Sequence, residues 1–392
     1  MTHKTVLLTL GRLPKALELA RGFHALGCRV LVAEPHAWHV CRLSRNVAAS
    51  LQLPAPNPDH HAYASALRAL IERENVDHVV PVSEEAPHVL AALADSALSE
   101  RVYSPSADTV AALHHKFRFA RDAIAAGHSV PDTLTADDPG VTDLAAAGPT
   151  VLKPIHGCSG EGVQFFEAGH TPPALDQHIV QRRIDGRHVS SFSILHEGRV
   201  HATALYEGTL MSGTVAVCFR RVDDAPEVHA WIEQFAGQRS LSGFVSFDFI
   251  VDAQRTPWAI ECNPRTTSGT HFLEPADIAR AVLAPGNDQP VRFREKTHFQ
   301  QFYPALTEAY SHVFRPRTFL RKIRPVLRAR DVVFDWRDLK PFLLMTPASW
   351  PILRQTLFEG KSFGAAATAD IVWTPPSAAT PASPKTAPAS ET

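Results

Sequence analysis

The sequence predicts a chain that is α/β at its start and α+β in its middle, with a helical C-terminal part. Three observations carry this reading. Over the first hundred residues, short apolar runs alternate with longer stretches of helical period. From about Pro149 to Arg265, the period-two alternation of strands dominates. Beyond roughly Pro285 the pattern turns helical and is broken by prolines. At 392 residues and 45% hydrophobic, the chain can build two or three domains with sizeable cores. Lys and Arg number 39 against 40 Asp and Glu, a balance that argues against a general nucleic-acid or membrane-surface binder. The five cysteines, at 28, 41, 158, 218 and 262, are odd in number and form no CxxC pair, which points to a reducing, cytoplasmic setting.

The elements follow in order. TVLLTL at 5–10 reads as a first strand rather than a leader, because Gly11 and Arg12 follow at once. LPKALELARGFHALG is a helix closed by Gly27. CRVLVAEP, HHAYASALRALIEREN and VDHVVPVS then read strand, helix, strand, which implies βαβ units and a parallel sheet. The first turn holds Gly11, Arg12 and Pro14, so the dinucleotide fingerprint G-x-G-x-x-G is absent. SADTVAALHHKFRFARDAIAAG reads as one helix ending at Gly127, with His114 and His115 adjacent and facing different ways, an arrangement unsuited to a shared metal. No window approaches the roughly 20 apolar residues of a membrane span. The end, TPPSAATPASPKTAPASET, has too little apolar content to fold and is expected to be a disordered tail over 374–392.

Two strands, FVSFDFIVD and WAIECNPR, flank the turn AQRTP. Strict alternation places Ala259, Glu261, Asn263 and Arg265 on one face, and Trp258, Ile260 and Cys262 on the other. In the first strand Val245, Phe247, Phe249 and Val251 form an apolar face, with Ser246 and Asp248 opposite it. If Val251 pairs with Trp258, Asp248 faces Glu261, and like charges about 5 Å apart call for something positive between them. Asp, Glu and an Asn carbonyl are hard oxygen ligands that suit Mg2+, which shares its shell with water and phosphates. A solvated hairpin surface would show the same spacing. The segment LKPIHGCSGEGV adds Lys153 at a strand end and glycines at 157, 160 and 162, the makings of a phosphate nest, although Val163 and Gln164 stand where a P-loop needs Lys and Ser or Thr.

Lys153, the Gly-rich turn, a strand carrying Asp248 and then Glu-x-Asn-Pro-Arg, in this order and at this distance, resemble the ATP-grasp superfamily of carboxylate ligases. The resemblance covers about residues 104–285, and the βαβ region looks like the Rossmann-like domain that precedes this fold. It implies domains at 1–103 (pre-ATP-grasp), 104–285 (ATP-grasp) and 286–373 (helical extension). It also implies that Lys116 and Lys153 serve the nucleotide phosphates, and that Ser159, Gly160 and Gly162 close over the β- and γ-phosphates. Gln181, with the main chain of Arg183 and Ile184, would read the adenine edge. Asp248, Glu261 and Asn263 would bind Mg2+ or Mn2+, and Arg265, with Lys153, would act on the transferred phosphoryl group of ATP. Arg182 and His188 stand where relatives often carry glutamates, one of which bonds the ribose, so His188 takes that place here.

The resemblance implies an ATP-dependent ligase that activates a small carboxylate, or similar oxygen acid, as an acyl phosphate and couples it to an amine. ARDVVFDWRDLKPFLL at 329–344 faintly resembles the C-terminal part of mycosporine-type amino-acid ligases, which favours small-molecule biosynthesis. The partners expected are the acid, the amine and a second copy in a homodimer, with no nucleic acid and no stable membrane insertion. Arg182, His188 and the acid-free run FRPRTFLRKIRPVLRAR motivate an alternative, a non-catalytic nucleotide-binding or membrane-associated module. Glu84 and Glu85 follow a strand at the sheet edge where ligands bind, and either could meet a substrate amine; a solvent-exposed helix start is the preferred explanation.

Overall fold

The structure is a computed structural model that describes residues 4–157, 160, 162–213 and 215–373. Ser159 and the tail at 374–392 lie outside the described residues.

The N-terminal strands form a parallel sheet in the spatial order Ala49–Gln52, Arg29–Glu34, Thr5–Leu8, His78–Val80. Leu7, Leu31 and Val79 point to one apolar cluster, and Val6, Leu8, Val30, Val32 and Val80 to another, so the sheet is buried on both faces as parallel sheets are. The strand Ala49–Gln52, unread in the sequence, carries a single large apolar residue, Leu51, and lies at the sheet's edge. Helix Pro14–Ala25 opens on proline, and Gly27 takes the left-handed conformation (φ 79°) just beyond its end.

That helix docks the first sheet on the rest of the molecule. Its partner is helix Pro275–Leu283, and a Cβ on Gly22 would lie 2.1 Å from the Pro275 carbonyl oxygen, so only glycine permits the approach. Glu18 is buried at the same junction, 2.7 Å from Arg294 and 3.3 Å from His271. Burial alone would raise its pKa, but Arg294 and His271 hold the carboxyl well below its usual range.

The largest sheet has seven strands in the order Pro257–Asn263, Gly243–Val251, Arg187–His196, Arg199–Ser212, Val215–Val222, His298–Gln300, Arg330–Asp331. A smaller antiparallel sheet runs Thr133–Thr135, His178–Arg182, Thr150–Pro154, Gln164–Phe166. The cleft described below opens between these two sheets. Beyond residue 285 come helices Phe302–Tyr310, Pro316–Arg328, Met345–Phe358 and Phe363–Thr368. This part is not helical alone, because two of its segments extend the large sheet by edge pairing. Among the described residues no helix is long and apolar enough to cross a membrane.

Asp331 sits in the last of those edge strands. Burial pushes its pKa up to about 6, against the backbone N–H bonds that Val333 and Phe334 give it. A raised carboxyl pKa stabilises the fold below the unfolded-state value and loses that contribution as pH rises through about 6. Asp331→Asn is therefore expected to match wild type near pH 4 and to gain on it up to pH 7, by at most about 3 kcal/mol. Urea unfolding at the two pH values measures the gap; a gap that does not widen would show that the carboxylate ionises freely.

Candidate active site

The hairpin that carries the acidic pair is bulged. Val251 pairs with Pro257 and Ile250 with Trp258, one residue away from the register expected. Phe249 then faces Ala259 while Asp248 faces Glu261, so Ile260 is an extra residue on the second strand. Ala259 and Cys262 both turn to the core, packed with Phe247 and Phe249, and Ile260 and Glu261 both line the cleft. The expectation that Ala259 shares a face with Glu261, and Ile260 with Cys262, is thus corrected. Burying two small residues against two phenylalanines drives the slip.

Asp248 and Glu261 nonetheless lie directly opposite each other. Asn263 Nδ2 donates to Glu261 (3.0 Å) and to Asp248 (3.3 Å), bridging the pair. Ser190, on the neighbouring strand, donates its hydroxyl to Asp248 at 2.5 Å, and His188 Nε2 lies 3.8 Å from the same carboxylate. Burial and Glu261 raise the pKa of Asp248, whereas Lys116 and Lys153 hold Glu261 low against its own burial. Two facing carboxylates are a hard-oxygen pair, and a divalent cation between them would relieve the repulsion that raises Asp248; Asn263 turns its Nδ2 to them and its Oδ1 to Arg265, so it would offer the ion an oxygen only with its amide reversed. The residues present therefore fit such an ion. Among the described residues no group of three or more His, Cys, Asp or Glu side chains could hold a metal, so any further ligands would come from water or a bound anion.

The lysines converge on the same place. Lys116, first residue of helix Lys116–Ala125, puts its ammonium 3.6 Å from Glu261 and 3.0 Å from the Gly157 carbonyl. Lys153 donates to Gln181 Oε1 and to the Ile260 carbonyl, both at 2.9 Å, and burial, with Lys116 nearby, brings its pKa down to about 8 despite Glu261. Gly157, Gly160 and Gly162 have φ of 139°, 66° and 73°, backbone that other residues rarely adopt, and Gly160 lines the cleft. Gly162 does not line it but packs against Pro154. Gln181 uses both ends of its amide inside the protein, its Nε2 donating to Thr133. Arg183 and Ile184 line the cleft, but the Arg183 N–H already donates to the Pro149 carbonyl, so its carbonyl is the group left for a base edge. Arg182 stacks on Trp258 at 5.0 Å.

Two expectations fail for physical reasons. Glu84 and Glu85 are not a solvent-exposed helix start but are buried. Glu85 accepts from Thr9 and from the Val82 and Ser83 N–H groups. Glu84 pairs with Arg265 and lies 3.3 Å from His114 Nε2; burial would raise it, yet these two partners keep it well below the usual carboxylate range. Arg265 also donates to Asn263 Oδ1 at 3.0 Å, so Glu84, Arg265, Asn263 and the acidic pair form one chain of contacts. The helix expected over 106–127 is in fact two, because His115 leaves the helical conformation and caps the second one through Nδ1. The break lets His114 and His115 meet at His156, whose ring lies 5.7 Å and 5.0 Å from theirs. Burial, with His114, His115 and Lys116 around it, pushes His156 down to about 3, so it stays neutral. Ser190 gives no signal in the sequence, and Glu84 is legible only as a candidate at the sheet edge, since both reach the site through strand order and domain docking.

The cleft has a volume of about 570 Å3 and is lined by Lys153, Gly160, Gln181, Arg183, Ile184, His188, Asp248, Glu261, Asn263 and Arg265. Residues 114–269 match the family described as ATP-grasp domain. No curated protein matches the chain at the sequence level. Solved structures resemble it in fold. N5-carboxyaminoimidazole synthetase from Staphylococcus aureus, in complex with ADP, has a TM-score of 0.61 at 13% identity over 81% of this chain and 87% of its own. The biotin carboxylase domain of 2-oxoglutarate carboxylase from Hydrogenobacter thermophilus, with MgADP and bicarbonate, has a TM-score of 0.60 at 13% identity, over 75% and 73%. L-amino acid ligase from Bacillus licheniformis has a TM-score of 0.58 at 16% identity, over 75% and 79%.

Proposed function

We propose, from the match of residues 114–269 to the ATP-grasp domain family, that the protein is an ATP- and Mg2+-dependent ligase that joins a carboxylic acid to an amine. The observation that carries the reading is the facing pair Asp248 and Glu261 with Lys153 and Arg265 in one cleft and the Lys116 ammonium beside Glu261. Asp248, Glu261 and Asn263 would hold Mg2+, which when bound supplies positive charge to phosphate oxygens. Catalysis of this kind rests on positioning and charge, so no side-chain nucleophile is needed.

Lys116 and Lys153 offset the repulsion between a polyphosphate and an incoming carboxylate. The carboxylate oxygen attacks the γ-phosphorus, the bond to the β-phosphate oxygen breaks, and ADP leaves. Arg265, with its planar fork of donors, steadies the phosphoryl group in transit. The amine then attacks the acyl carbon and expels phosphate, and the proton the amine loses goes to phosphate or solvent. Incubation with ATP, Mg2+ and panels of acids and amines tests this: ADP and phosphate release that needs both substrates is expected. ADP release with no combination, from a protein that binds ATP, would favour the non-catalytic alternative.

Glu84 enters as a positioning residue. It is buried and holds the guanidinium of Arg265 from the neighbouring sheet's edge. Glu84→Gln is expected to lower kcat about tenfold, one rotamer's worth of misplacement, while leaving KM for ATP near its wild-type value. A change confined to KM for ATP would instead make Glu84 part of nucleotide binding.

A further inference from the structure

The cleft extends beyond the residues expected to meet ATP. Its far wall comes from the C-terminal helices, with Phe302, Tyr303, Met345, Ile352 and Phe363 facing the cavity. Leu13 packs in the same wall, against Ile352, Ala366, Ala367 and Phe363. Two residues on, Lys15 puts its ammonium 2.7 Å from the Thr266 carbonyl, beside Arg265. The apolar wall and the phosphoryl end of the cleft therefore meet within one helical turn. Arg12, the other charge at that end, is already committed to Glu34 and Asp370. A small polar acid would leave this wall in contact with water.

Resting on the ligase reading above, we propose that the acid substrate carries an apolar body, a medium-length acyl chain or an aryl group, that lies against this wall with its carboxylate toward Arg265. Each buried methylene contributes about 0.8 kcal/mol, close to a fourfold change in affinity. Straight-chain acids from propionate to decanoate, measured by ADP release and by calorimetric binding in the presence of an unreactive ATP analogue and Mg2+, are expected to gain roughly threefold to fourfold per methylene until the wall is reached. Ala367→Phe and Ser349→Phe, each placing a ring into the cavity from a different helix, are expected to remove that gain while keeping activity on the shortest acid. Affinity independent of length overturns the proposal, as does a length dependence seen with the amine series instead. The two readings separate. Binding that tightens with length but never releases ADP leaves the apolar wall and removes the ligase. ADP release from polar acids with no gain from length leaves the ligase and removes the apolar acid.

A different observation carries a second inference. In helix Pro316–Arg328, Arg317, Arg321, Arg324 and Arg328 recur every third or fourth residue and form one stripe, with Leu320 and Leu327 beside it. The opposite face is anchored, Val326 against Leu210, Val217, Cys218 and Ala305, and Phe319 against Tyr310. Leu327 is 78% exposed and Phe314, just before the helix, 96%. Among the described residues none of the four arginines has an acidic partner, and the sequence between Glu308 and Asp331 holds no acid. Since the chain as a whole is near neutral, this charge is local. Apolar side chains interleaved with unopposed arginines fit the interface of an anionic bilayer, whereas a second copy of the same stripe would bring arginine against arginine.

We infer that this face docks on anionic phospholipid surfaces without crossing them. Co-sedimentation with vesicles of 30% phosphatidylglycerol in phosphatidylcholine is expected to exceed that with phosphatidylcholine alone at least tenfold and to weaken with salt. Phe314→Ser with Leu327→Ser, and separately Arg321→Glu with Arg324→Glu, are each expected to lower it about tenfold. No binding at millimolar lipid, equal binding to both vesicles, or binding unchanged in both variants overturns the inference. So does a concentration-dependent dimer that the serine variant abolishes, or binding to RNA in place of vesicles.

Discussion

Asp248→Asn is expected to lose ADP release at least about a hundredfold in Mg2+ while making the protein without metal slightly more stable. The loss follows because even residues that only orient metal ligands cost about 10–100-fold when changed, and Asp248 would be a ligand itself. The gain has an electrostatic cause. Asp248 faces Glu261 directly, and burial with that neighbour raises its pKa, so holding it ionised at neutral pH costs folding energy. Asparagine removes the charge but keeps an oxygen for the Ser190 hydroxyl, now 2.5 Å away. The expected gain is up to about 1 kcal/mol, the scale of a cross-strand pair. Thermal unfolding with and without Mg2+ and ATP reads both effects at once: wild type should be stabilised by the pair of ligands and the variant should not. If the variant keeps its turnover, the acidic pair does not hold the metal; if it loses both turnover and stability, Asp248 is a structural residue.

The sequence suggested Asp248 opposite Glu261 from equal distances to a turn, but the true register is displaced by one residue and a bulge at Ile260 restores the match. Local alternation is blind to such a bulge, because the cause lies in what Ala259 and Cys262 pack against. Lys153 and the glycines were legible for a better reason: a left-handed turn leaves few residue choices, so the chemistry is written into the residue types. Glu84 reads as a helix start because burial at a sheet edge depends on the docked ATP-grasp part, which supplies Arg265 and His114. Likewise His115 reads as an ordinary helical residue, and only its neighbours His114 and His156 show why the chain turns there. Periodicity reports on one element at a time, whereas these features belong to contacts between elements.

Arg12→Met is expected to cost about 3–5 kcal/mol, the cost of breaking a buried ion pair by removing one partner. Arg12 occupies the first turn of the parallel sheet, where the dinucleotide fingerprint would stand. Its Nε donates to Glu34 Oε1 at 2.8 Å, and its two terminal nitrogens reach Asp370 at 2.7 and 2.9 Å. Glu34 lies at the end of the second strand and also accepts from the Gly11 and Arg12 N–H groups, so the crevice outside the strand ends is filled by the protein's own charges. Asp370, near the end of the described chain, is thereby tied to the first sheet and holds in place the helices that wall the cleft. Burial would raise both carboxyls, but Arg12 keeps Glu34 and Asp370 below their usual range. A depressed carboxyl pKa stabilises the fold above its unfolded value and loses that contribution on acidification. The advantage of wild type over Arg12→Met, measured by urea unfolding, should therefore be full at pH 7 and shrink as pH falls through the lowered values of the two acids. Adding Glu34→Gln to the variant should recover part of the loss, since the uncompensated buried charge is its main cause. A loss that does not change with pH and is not eased by Glu34→Gln would place the contribution of Arg12 in packing, through its buried stem, rather than in charge.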